Sequence, residues 1–241
     1  MSCTALILAA GFGSRLMPLT AERPKTLVEV AARTLLAHLL DACTAAGCSD
    51  AIVVTGYHHH AVDEWLANHP PPVPTRTVLN EAYDRYGNAW SVLSAAEALE
   101  GRDFIKLDGD LIVDPSILAP LVGAEESVWC VDRGATLDAE AMKVAIEGDR
   151  ITALGKWHDP STSRAKSIGV ERIAPADAPM VFDAIEHLVT HDPPDAYYED
   201  AYHRLVASGW HLRPQDVGDA RWIEIDDPAD LRRAEDEFGK G

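Results

Sequence analysis

Apolar residues along the chain fall into two rhythms. Short unbroken runs, "TALILAA" (4–10), "AIVVTGY" (51–57), "TRTVLN" (75–80) and "DFIKLDGD" (103–110), are predicted as buried strands. Between them the apolar positions recur at helical spacing in "RTLLAHLLDACTAAG" (33–47), "HAVDEWLANHP" (60–70) and "NAWSVLSAAEAL" (88–99). Gly47 closes the first of these helices and Pro70 stops the second. Regular alternation over the first 110 residues implies right-handed crossovers and a mostly parallel sheet covered on both faces, an α/β, Rossmann-like, doubly wound fold.

The rhythm then changes. "SVWCVDR" (127–133), "AMKVAIEGDRITALGKW" (141–157) and "SIGVERI" (167–173) are predicted as strands, with "EGDR" as a hairpin connection. Helices are predicted over 175–191 and 197–209, a strand at "RWIEIDD" (221–227), and a closing helix at "DPADLRRAEDEF" (227–238). No repeat, low-complexity tract or flexible linker divides the chain. One domain over 1–241 is expected: a ligand-binding half at 1–125, a second half on the same sheet at 126–221, and a strand and helix returning at 222–241.

Composition narrows the chemistry. The 241 residues are 47% hydrophobic and 25% charged, an ordinary globular balance, but the formal net charge is −18. Such a field repels nucleic acid and anionic membrane surfaces, so neither is expected as a partner. A polyanionic ligand would have to be met by local cations and a metal. Cys3, Cys43, Cys48 and Cys130 show no CxxC or zinc spacing and are expected as buried thiols in a reducing compartment. "ALILAA" is too short to span a bilayer and has no basic segment before it, which favours a cytoplasmic protein.

Against that acidity stands "LAAGFGSRLMPLTAERPKTL" (8–27), which places Arg15 and Lys25 in a loop at the carboxyl edge of the first strand, where open parallel sheets bind ligands. Gly11 and Gly13 permit close backbone approach. A dinucleotide fingerprint would need glycine at Leu16, and a Walker A loop would need glycine where Pro24 precedes Lys25. An ordinary tight turn leaves Arg15 and Lys25 unexplained. Taken whole, the stretch resembles the "GxGxRLxPxTxxxPK" loop of the nucleotidylyltransferase family, with Gly11, Gly13, Arg15, Leu16, Pro18, Thr20, Pro24 and Lys25 in place. The resemblance implies a nucleotide-diphospho-sugar transferase fold. It also implies a loop, with Leu8 and Ala10, wrapped around a nucleoside triphosphate, Arg15 on the phosphates and Lys25 at the reacting α-phosphate.

"KLDGD" (106–110) and "IEIDD" (223–227) each end a predicted strand in carboxylates. Either alone suits a strand end or helix cap, as does Asp227 before Pro228. The family pattern makes Asp110 and Asp226 the ligands of Mg²⁺, with Asp108 and Glu224 in second rank for metal or ribose. No Ser-His-Asp or Cys-His set competes, and "HHH" (58–60) is expected as a solvated helix start whose rings point apart.

"NEAYDRYGNAWSVLSA" (80–95) resembles stretches of bacterial choline-phosphate and inositol-phosphate cytidylyltransferases. That likeness assigns Asn80, Gly87 and Asn88 to the nucleotide; Gly87 and Asn88 equally suit a plain helix start. "LDAEAMKVAIEGDRITALGK" (137–156) resembles the inositol-phosphate enzymes, which puts Lys143, and more weakly Lys156, on the acceptor phosphate. Tyr197, Tyr198, Glu199 and Asp200 are either a helix cap with a core tyrosine or an acidic, aromatic pocket for a cationic acceptor such as phosphocholine or 2-aminoethylphosphonate. Trp90, Trp129 and Trp157 are further aromatic candidates. The expected partners are thus CTP and a small phosphorylated or phosphonylated alcohol, with a homodimer left open. A sugar-1-phosphate enzyme using UTP, dTTP or GTP, or a non-catalytic nucleotide-binding subunit, are the alternatives.

Overall fold

The computed structural model describes residues 3–239. β1 (Cys3–Ala9) is buried except at half-exposed Leu8. Its side chains alternate between two apolar layers, Ala5 and Ile7 to one and Leu6 to the other, as strand geometry requires. A small hairpin of β2 (Glu29–Val30) and β3 (Arg33–Thr34) follows the first loop. α1 (Leu35–Ala46) begins where Thr34 Oγ1 accepts the Ala37 N–H and ends at Gly47, whose φ of 95° closes the helix.

β4 (Asp50–Thr55), α2 (His59–Asn68) and β5 (Thr75–Leu79) continue the alternation. The helix predicted over 88–99 is two, α3 (Asn88–Ser94) and α4 (Ala96–Leu99), because Ala95 N–H bonds back only three residues, to Val92 O. β6 (Asp103–Asp108) completes a parallel core in which β1 lies between β4 and β6 and β5 flanks β4. β7 (Leu111–Val113) and α5 (Pro115–Leu118), capped by Asp114, lead into the second half.

There β8 (Val128–Asp132), the β9 (Lys143–Glu147) and β10 (Arg150–Gly155) hairpin, and β11 (Ala165–Ile173) extend the sheet with antiparallel pairings. α6 (Ala178–His191) and α7 (Tyr198–Ala207) cover one face. β12 (Arg213–Asp216), too polar to be predicted as a strand, pairs parallel with β8. Among the described residues nine strands form this sheet, in the order β10-β9-β11-β6-β1-β4-β5 with β8 joined to β11 and β12 to β8.

The last predicted strand does not join that sheet. β13 (Trp222–Glu224) pairs antiparallel with β7, beyond the end of β6. α8 (Pro228–Phe238) then starts on a capping box in which Asp227 accepts the Ala229 and Asp230 N–H groups. Among the described residues the four cysteines are buried and unpaired, and no helix is long and apolar enough to cross a membrane.

Candidate active site

The carboxyl ends of β1 and β6 open into a cleft of about 960 Å³. One wall is the loop after β1, held down by Leu16, which is fully buried with Val30, Leu35, Ile223 and Ile225. Gly13 sits at φ 61°, where a Cβ would come within 2.9 Å of Lys25 Cβ, and Thr20 Oγ1 donates to Gly13 O at 2.8 Å. The loop is thereby folded back so that Arg15 and Lys25 meet over one carboxylate. Lys25 Nζ lies 2.7 Å from Asp110 Oδ2 and 2.9 Å from Asp226 Oδ1, and Arg15 reaches Asp226 Oδ1 at 2.8 Å.

Chain ends 116 positions apart are brought together by the β7–β13 ladder, continued by the Ile225 N–H to Asp110 O bond. Burial pulls the Lys25 ammonium down, but Asp110 and Asp226 outweigh it and hold its pKa above the ordinary value. Burial likewise pushes Asp226 up, yet Lys25 and then Arg15 win and its pKa is lowered. Glu224 is raised, chiefly by burial and then by Asp110.

Oxygens of Asp110, Glu224 and Asp226 lie within 4.8 Å of one another, and Asp110 Oδ1 is buried without a hydrogen-bond partner. Three hard oxygen donors with one oxygen unpaired fit a Mg²⁺ ion that completes its shell with phosphate and water. Asp108 stands behind them. Its Oδ1 takes Lys106 Nζ at 2.9 Å, and Gly169, at φ 74°, leaves room for its Oδ2, which a Cβ there would meet at 2.3 Å. Burial is the main reason its pKa is raised, with Lys106 opposing.

Leu8, Ala10, Gly11, Gly87, Asn88 and Asp108 all line the cleft. Asn80 does not. It is buried, accepting from Ala82 N–H and donating at 3.1 Å to the Oγ of Ser91, which lines the cleft. Gly87 also makes room for a neighbouring segment of the chain. A Cβ there would meet Ala196 O at 2.6 Å, so the glycine admits the 194–196 chain. Asn88 Oδ1 accepts the Tyr198 N–H at 3.0 Å, tying α3 to the start of α7.

The acceptor-side expectations divide. Glu199 and Tyr197 line the cleft. Glu199 is pushed up to about 7, first by burial and then by Asp108. Tyr198 is a core residue: its ring lies under Lys106 Nζ at 4.1 Å and its hydroxyl bonds that ammonium. Asp200 caps α7 by accepting the Tyr197 N–H, and it faces a separate groove. Lys143 is not on the cleft, because its buried ammonium is taken by the carbonyls of Lys156 at 2.6 Å, Ala141 at 3.2 Å and Ala139 at 3.5 Å. Lys156 is on it, 5.1 Å from the Tyr197 ring centroid.

Trp129 is core, donating to Ser167 Oγ, Trp90 stacks on Tyr86, and Trp157 is exposed. The rings of His59 and His60 do not point apart: their centroids are 3.7 Å from each other, beside Asp63. Sequence reasoning missed Lys166, Trp222 and Lys106. A lysine inside an apolar strand run was the available signal for Lys106; Lys166 precedes the predicted strand and carried no such signal.

A glycine loop with two cations facing carboxylates at the end of a parallel sheet is an arrangement suited to an anionic ligand. A family model described as Nucleotidyl transferase matches residues 4–127, and the chain belongs to that family. Over 97% of its length the chain is 32% identical to the CMP-5'-(3-aminopropyl)phosphonate synthase of Streptomyces rubellomurinus, spanning 38% of that protein. It is 28% identical to the N-acetylmuramate alpha-1-phosphate uridylyltransferase of Caulobacter vibrioides, covering 93% of this chain and 92% of that one. The inositol-1-phosphate CTP transferase from T. maritima superposes with a TM-score of 0.83 over 99% of this chain and 96% of that one, at 24% identity, and so shares the fold.

Proposed function

We propose that the protein is a Mg²⁺-dependent cytidylyltransferase that moves CMP from CTP to a small phosphorylated or phosphonylated alcohol and releases pyrophosphate. The observation that carries this reading is Lys25 Nζ held between Asp110 and Asp226. That arrangement suits a site that must bring two anions together. An oxygen of the acceptor's phosphoryl or phosphonyl group attacks the α-phosphorus of the triphosphate, and the bond to the bridging oxygen of the departing pyrophosphate breaks. The attacking group is already an anion at neutral pH, so no base has to remove a proton.

What the residues supply is alignment and charge: the Gly11–Gly13 backbone and Arg15 on the phosphates, and Lys25 on the charge developing at the α-phosphorus. Asp110 and Asp226 would hold Mg²⁺, which would supply further neutralisation of the phosphate oxygens. The similarity to a phosphonate-linked CMP synthase supports both cytosine and a phosphonate or phosphate acceptor. Glu199 and the Tyr197 ring, both lining the cleft, support an amine on that acceptor, as in phosphocholine or 2-aminoethylphosphonate. A second reading, a sugar-1-phosphate uridylyltransferase, is supported by the end-to-end match to the N-acetylmuramate enzyme.

Pyrophosphate release with CTP, UTP, dTTP and GTP, each crossed with amine-bearing, polyol and sugar phosphates, decides between them. Turnover confined to CTP with an amine-bearing acceptor is expected. Preference for UTP with a sugar-1-phosphate would replace this reading with the second.

A further inference from the structure

Lys166 and Lys143 are direct cross-strand partners on β11 and β9, so their side chains leave the same face of the sheet. Their fates differ. The 139–142 segment closes over Lys143 and satisfies its ammonium with backbone carbonyls. Lys166 stays open to the cleft. Its stem runs beside Trp222, with Nζ 5.2 Å from the ring centroid, and its ammonium lies 3.1 Å from Glu224 Oε2. Glu224 belongs to the carboxylate group that includes Asp110 and Asp226.

Lys166 therefore stands where the second half of the chain meets the reacting end of the cleft. Arg15 and Lys25 come from the loop after β1, and both are engaged with Asp226. Lys156 is engaged elsewhere, with Glu140 at 3.4 Å and the Tyr197 ring. An anionic acceptor entering a cleft walled by Asp108, Asp110, Glu199, Glu224 and Asp226 needs a cation on its own side, next to those carboxylates.

We propose that Lys166 holds the phosphoryl or phosphonyl oxygens of the acceptor and aims them at the α-phosphorus, exchanging its contact with Glu224 for the acceptor. This rests on the reading of the site as one that transfers a nucleotidyl group to a phosphate or phosphonate, and not on which base is used. Lys166→Met keeps the stem against Trp222 and removes the charge. With the triphosphate and acceptor pair that turns over best, it should raise the acceptor KM roughly 10–100-fold, the loss of one charge-assisted hydrogen bond. The triphosphate KM should stay within about threefold, and Lys166→Arg should recover most of the acceptor KM.

An unchanged acceptor KM in Lys166→Met, or equal rises in both KM values that arginine does not repair, would overturn the assignment. Turnover only with UTP ends the cytidylyl reading and leaves the Lys166 comparison to be made on that pair. Absence of transfer to any phosphorylated or phosphonylated acceptor overturns both.

Discussion

Lys25 and Arg15 share the Asp226 carboxylate but differ in their freedom, with side chains 15% and 62% exposed. Lys25 is fixed over the reacting end of the cleft, whereas Arg15 has the reach to follow phosphate oxygens. Lys25→Ala should therefore lower kcat by about 10²–10³-fold with little change in triphosphate KM, since it removes a charge that matters most in the transition state. Arg15→Ala should chiefly raise triphosphate KM, by about 10-fold. Steady-state kinetics on both variants checks the division, and the same split in each would refute it. The family resemblance singled out Lys25, Asp110 and Asp226, and the fold brings the three together. Lys143 was misplaced because a motif does not say what folds over a side chain, and for Tyr198 and Asp200 the structure takes the alternative of a core tyrosine and a helix cap. Lys143 and Lys166 start side by side, and the carbonyls of Ala139, Ala141 and Lys156 take the first ammonium while the second stays on the cleft.

At the scale of elements, the parallel half was legible strand by strand because each βαβ unit carries its own apolar period. β12 was not, since "RPQD" has no such period and is a strand only through its pairing with β8. The pairing of β13 with β7 was equally hidden, because strand choice is a long-range property. Elements also fix what two of the cleft glycines do. A Cβ on Gly87 would meet backbone atoms of Asp195 and Ala196, between α3 and the approach to α7, while one on Gly11 would meet nothing within 4 Å. Gly87→Ala should cost about 1–3 kcal/mol by overpacking, lowering Tm by roughly 2–10 °C. Gly11→Ala should leave Tm in place and weaken triphosphate binding, because its methyl group enters the space where the ligand's backbone contacts form. Thermal melts paired with nucleotide titration check both; a Tm loss in Gly11→Ala with unchanged binding would reverse their roles.

Across the whole molecule, the −18 net charge has a buried counterpart between the sheet and α7. Lys106, fully buried, meets Asp108 at 2.9 Å and Glu171 at 3.1 Å, and it touches Tyr198. Burial is the first cause that pushes Glu171 up to about 8 and Glu199 up to about 7; Lys106 opposes it in both, while neighbouring carboxylates reinforce it. The folded chain thus keeps protons on both carboxyls at pH values where the unfolded chain, with glutamates near 4.3, has released them. A raised carboxyl gives stability that is complete below the unfolded pKa and is lost as pH rises through the folded one. The protein should therefore lose stability between about pH 5 and 8, by on the order of 1–3 kcal/mol for Glu171 alone. Glu171→Gln removes that titration, so the variant should gain on the wild type steadily from pH 5 to pH 8 in urea midpoints. A difference that does not vary with pH would mean that Glu171 is ionised in the fold. The same rise at Glu199 has a consequence for ligands. A cationic acceptor binds the ionised carboxylate, so as pH falls below 7 its KM should climb more steeply, by up to about tenfold per unit, than that of a polyol phosphate, whose KM changes only as its own phosphate titrates at about pH 6. Glu199→Gln should abolish this difference, and equal pH profiles for the two acceptor types would remove the carboxylate from the acceptor pocket.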